Sequence, residues 1–157
     1  MTESLRESIE RIRGVAPSLN KATDDAQAIV SRVERFLNEY SVGIPAQVQL
    51  DDVDVSKNSS RQRYLSYERV DGKFRIAVTT YLVLETDDND PFANKFMPDP
   101  ENPPIAWGSC PRDIKLVSFN ALPQLLREIA KEAYCTSQQA KETVETVRQV
   151  LTAIDGE

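Results

Sequence analysis

Histidine is absent from all 157 residues, which removes Ser-His-Asp and Cys-His catalysis, histidine metal ligation and any imidazole pH switch. Glycine is scarce. Gly14, Gly43, Gly72, Gly108 and Gly156 stand isolated, so the chain has neither a phosphate-cradling loop nor a dinucleotide fingerprint. The two cysteines, Cys110 and Cys135, lack the spacing and number of a zinc site or a disulfide framework. No window approaches the roughly 18 consecutive apolar residues of a membrane-spanning helix. Bases are outnumbered 19 to 25, and a net charge of -6 has the wrong sign for affinity built on phosphate contacts. The start, Met1-Thr2-Glu3-Ser4, carries neither the basic nor the apolar region of a signal peptide. These absences lead us to expect a cytoplasmic protein with no cofactor and no nucleic-acid or membrane partner.

What remains is ordinary composition for one soluble domain over residues 1–157, at 40% hydrophobic and 28% charged. Over the first 41 residues Leu5, Ile9, Ile12, Ala16, Leu19, Ala26, Val30, Val33, Leu37 and Tyr40 form a near-heptad stripe, which predicts a helix. Pro17 removes a backbone donor within it, predicting a kink or break near residues 14–18 with Ser18 capping the second piece. From Val42 the period falls to two. Ile44, Ala46, Val48 and Leu50 alternate with polar residues and Pro45, the pattern of a strand at or near a sheet edge, followed by a polar connection over 51–62. Segments 64–70 and 73–84 then flank Asp71-Gly72, the signature of a type I′ hairpin. A two-residue turn sets Glu68 opposite Arg75, Ser66 opposite Ala77 and Tyr64 opposite Thr79. One hairpin face, with Leu65, Tyr67, Phe74, Ile76, Val78, Leu82 and Leu84, reads as the core side. The other offers Tyr64, Ser66, Glu68, Arg75, Thr79 and Tyr81 to solvent or to a ligand.

Residues 86–104 read as a long acidic, proline-rich loop, with five prolines and five acids against Lys95 alone. It carries a net -4 of the total -6 and three apolar anchors, Phe92, Phe96 and Met97. These three are candidates for partner binding, and the loop is the expected site of highest mobility. Ile105 to Trp107 is a possible last strand. Trp107, the single tryptophan, is either the floor of a ligand pocket or the cap of a small core. Pro111 suits a first helical position with Asp113 in the first turn, although 111–121 also reads as strand. Asn120 is a candidate cap for a final helix near Pro123. The stripe of that helix runs through Leu126, Ile129, Ala133, Thr136, Ala140, Val144, Val147, Leu151 and Ile154 to the end of the chain.

Catalytic and metal chemistry find no support. Asp52-Val53-Asp54-Val55-Ser56 opens like a calcium loop, but Lys57 stands where the turn wants glycine and Arg63 where the bidentate Glu should be. Asp87-Asp88-Asn89-Asp90 is broken by Pro91. Cys110 beside Pro111 and Arg112 has no base to activate it and reads as packing.

The expected fold is α+β: a small antiparallel sheet of three or four strands with long N- and C-terminal helices packed on one face. In size, acidity and mixed content the chain is similar to the small acidic partner-binding chaperones of bacterial secretion systems, a likeness of general character that transfers no residue. The expected function is a non-catalytic interaction, chaperone or adaptor module that self-associates, with no catalytic or metal-binding residue. The alternative is a small-molecule binder or enzyme using Tyr64, Glu68, Arg75 and Tyr81, with Trp107. A helix from Pro123 to Ile154 would be about 48 Å long, against a diameter of roughly 40 Å for a compact domain of this length. Its end would therefore overhang, leaving Val147, Leu151 and Ile154 to a homodimer partner unless the N-terminal helix runs alongside. The small residues Ala133, Thr136 and Ala140 would let another helix come close.

Overall fold

The computed structural model describes residues 4–85 and 95–156. Helix α1 (Leu5–Glu39) starts at Ser4, whose hydroxyl accepts the Glu7 N–H at 3.3 Å while the Glu7 carboxylate accepts the Ser4 N–H at 2.8 Å. Two first-turn donors that a helix cannot pair internally are thereby satisfied. The break expected at residues 14–18 does not occur. α1 continues through Pro17, because one forfeited ladder bond leaves the turns on either side intact, and Ser18 lies in its interior. The helix ends at Ser41, held at φ 50, where the Ser41 N–H reaches the Asn38 carbonyl at 3.0 Å and the Val42 N–H reaches Leu37 at 3.1 Å. Leu37 and Val42 both pack in the core, completing a Schellman ending.

Four strands follow as antiparallel neighbours in sequence order: β1 (Ala46–Ser56), β2 (Ser59–Val70), β3 (Lys73–Leu84) and β4 (Lys95–Pro98). A short β5 (Ile105–Ala106) also pairs with β3. The Asp71-Gly72 turn has positive φ at both positions, 51 and 80, and the β2–β3 register matches the sequence-based expectation pair for pair. Two expectations need correction. The polar connection at 51–62 is instead the second half of β1, a tight turn and the start of β2, with register shifts at Leu50 and Val55. The loop at 86–104 contains β4, and its residues 86–94, Phe92 among them, lie outside the described residues.

A 3-10 turn (Trp107–Ser109) leads into α2 (Arg112–Phe119) and α3 (Leu122–Asp155). Residues 112–119 are thus helix. Pro111 stands at the N-cap position just before α2 rather than at its first helical position, with no side-chain cap, and Asn120 closes α2 rather than capping α3. Asn120 and Ala121 both keep right-handed helical angles, so the two helices meet with almost no loop to cap.

The helices lie on one face of the sheet, α1 over β3 and α3 over β1 and β2. Between them and the sheet sit Ala26, Val30 and Leu37 of α1, Val48, Leu65, Tyr67, Ile76 and Val78 of the strands, and Trp107, Leu122, Leu125 and Ile129. The fold is α+β, with its long helices at the two ends of the chain.

Candidate functional site

Two surfaces stand outside the core. The first is the sheet face turned away from the core helices. Alternation puts Gln47, Tyr64, Ser66, Glu68, Arg75, Thr79, Tyr81 and Phe96 on it. Tyr81 stacks on Phe96 with ring centroids 4.3 Å apart, and Tyr64 meets Tyr81 edge-on at 5.4 Å. Sequence reasoning placed Ser66 and Thr79 at the surface, but both are buried, shielded as small side chains among larger neighbours. Their hydroxyls lie 2.9 Å apart, and Thr79 donates to the Glu68 carboxylate at 2.8 Å. Tyr81 donates to Gln47 at 3.2 Å and Tyr64 to Gln62 at 2.8 Å. Burial pushes both tyrosine hydroxyls above their ordinary range, with Glu68 adding to the shift at Tyr81. Tyr64, Glu68 and Tyr81 are thus brought together, and Arg75 sits half-buried opposite Glu68.

Trp107 is not part of this face. It is 1% exposed in the helix-side core, its indole N–H donating to Ser118 at 2.9 Å. Met97 faces away from Phe96, beside Leu82. Cys110 is buried, and that burial raises its thiol above the usual range. Asp52 and Asp54 are strand residues, paired with Gln62 and Ser60. Among the described residues no group of three or more Cys, Asp or Glu is placed to hold a metal.

The second surface is helical. From residue 141 to 155 every residue of α3 is exposed, and α1 does not cover them. Leu151 is 53% and Ile154 65% exposed, with Val144, Val147 and Val150 beside them. The N-terminal part of α1 is equally bare, Leu5, Ile9, Ile12, Val15 and Leu19 being exposed. Sequence reasoning treated that stripe as one packing face. Only its C-terminal half reaches the sheet, with Ala26, Val30 and Leu37 as its buried members. An open groove of about 360 Å³ between the two helices is lined by Ile29, Arg32, Val33, Phe36 and Leu126. It was invisible to the stripe reading, because Ile29 and Phe36 flank the stripe rather than lie on it.

Area states the same fact. A compact monomer of 17.7 kDa is expected to expose about 7,900 Å². This chain exposes 11489 Å². Among the described residues no helix is long and apolar enough to cross a membrane, so the bare stripes are not spanning segments. Compared with protein-family models, with curated proteins and with solved structures, the chain matches none.

Proposed function

We propose that this protein is a non-catalytic protein-interaction module, of chaperone or adaptor type, that self-associates through the free half of α3 and acts in the cytoplasm. The observation that carries the reading is the run of Val144, Val147, Leu151 and Ile154, about half exposed or more on a helix that has left its own core behind. Apolar patches of this kind mark protein contacts. Phe96 and Met97, within the acidic segment and on opposite faces of β4, are separate candidates for partner contact, and the segment's charge favours a basic partner whose binding weakens with salt. A net charge of -6 argues against nucleic acid and anionic membranes as partners. Light scattering on the purified protein tests the reading. A mass near 35 kDa that falls on Leu151→Asp substitution supports it, and a constant mass near the chain's 17.7 kDa at tens of micromolar rejects it.

One observation favours a second reading, a small-molecule site on the open sheet face. The Tyr64, Tyr81 and Phe96 rings border the buried Ser66 and Thr79 and the half-buried Glu68, a mixture of apolar walls and fixed polar groups suited to a ligand. A thermal-shift screen separates the two. A large shift with one metabolite class, lost on Tyr81→Ala, favours the ligand site.

A further inference from the structure

We infer that α3 pairs with α3 of a second copy, antiparallel, about a two-fold axis centred on Glu142, so that the free half of each lies along residues 130–140 of the other. This rests on the reading of α3 as the self-association element and gives that contact an orientation and a register.

The argument is one of size. Along the free stripe, residues fall at spacings of three and four: Ala130, Ala133, Ser137, Ala140, Val144, Val147, Leu151 and Ile154. The first four are small and the last four are branched. A parallel pair would set small against small, and over residues 130–140 no side chain would be long enough to fill the gap between the helices. Antiparallel pairing about Glu142 sets a small residue against a large one in every layer. Ala130 meets Ile154, Ala133 meets Leu151, Ser137 meets Val147 and Ala140 meets Val144, each layer occurring twice by symmetry. Interfaces pack to interior density, so this register is the one that leaves no void.

The flanks agree. The same register places Arg127 beside Asp155 of the second copy and Tyr134 beside its Arg148, an ion pair and a cation–π contact. Lys141 meets its counterpart at the axis, where both ammonium groups extend into water. Ile154 arrives one turn from Leu126, which lines the groove with Ile29, Val33 and Phe36, so the contact continues an apolar surface already present. The exposed half of α3 belongs to an excess of roughly 3,500 Å² that the whole chain shows over a compact monomer of its mass, and a stable interface draws about 800 Å² from each partner.

The test uses the full chain. Ala140 is exposed, so Ala140→Leu leaves the folded monomer untouched. In the antiparallel register it collides with Val144 of the second copy and raises the dimer dissociation constant by roughly tenfold or more. In a parallel pair it would fill the gap and tighten the dimer. Ala140→Leu combined with Val144→Ala exchanges the two sizes and restores wild-type affinity. Cys135 is exposed while Cys110 is buried, so a spin label attaches at one place. Antiparallel pairing sets the two Cys135 Cα atoms about 25 Å apart, because they are offset by fourteen residues along the axis, and parallel pairing about 14 Å. Weakening by Ala140→Leu, rescue by the double variant and the longer distance support the proposal. A dimer that tightens with Ala140→Leu and shows the shorter distance overturns the antiparallel register while leaving self-association standing. A monomeric wild type, or a dimer indifferent to Leu151→Asp, overturns both.

Discussion

Trp107 and Ser118 are sealed together in the core, and the Ser118 hydroxyl that receives the indole N–H itself donates to the Ile114 carbonyl at 2.6 Å. Ser118→Ala would strand a buried donor. The expected cost is about 1–3 kcal/mol, read as a lower urea midpoint and a melting temperature down by several degrees. Asp99 is a second high-stakes residue, 3% exposed and receiving Asn102 at 2.9 Å, the Glu101 N–H at 3.0 Å and Arg61 at 2.8 Å. Those bonds, the Asn102 one foremost, hold its carboxyl below the ordinary value of 3.8. A lowered carboxyl pKa contributes stability that is complete above the ordinary value and is lost as the pH falls through the lowered one. Asp99→Asn should therefore be less stable than wild type at about pH 6, with the gap in urea midpoint narrowing as the pH is taken below the ordinary value of 3.8. An unchanged gap would assign the loss to shape rather than charge.

At the level of elements, the β2–β3 hairpin shows how a local rule decides a long register. Gly72 sits at φ 80 with open space around it, so the obstacle to a side chain there is the backbone angle itself. Gly72→Val should cost about 1–2 kcal/mol, measured as a lower melting temperature. Ser41 offers the opposite case, a serine in the left-handed position that ends α1. Ser41→Gly should stabilise by about 0.5–1 kcal/mol. The hairpin was legible in the sequence because Asp71-Gly72 and the alternation beside it are both local. The second half of β1 was not. Shifts at Leu50 and Val55 reset its alternation, and the charges at Asp51 and Arg63 that resemble a loop are an ion pair across two strands. Pro17 misled in the reverse sense, because a local penalty does not end a helix whose other turns remain intact. Of the open sheet face, the residues were legible from the period of two. The burial of Ser66 and Thr79 was not, since it depends on which large side chains stand beside them.

For the molecule as a whole, the two long helices are each half structural and half free. The sequence showed the stripes but not where they part from the sheet, because a stripe has the same period whether it meets a core or water. If the free half of α3 is a dimer contact, dilution should lower the melting temperature, and Leu151→Asp should abolish that dependence without disturbing the buried cluster. That cluster contains no described residue beyond Ile129. A chain is made from its N-terminus, and domains fold as they emerge. Trp107, Leu122, Leu125 and Ile129, which close the sheet's helix-side face, therefore precede the last 26 residues of α3, 130–155, in the order of synthesis. If that stretch is the dimer contact, what holds one copy together is made before what would join two, and the interior of each copy needs nothing from the partner-facing surface. A chain ending at residue 132 should fold cooperatively and remain monomeric at every concentration.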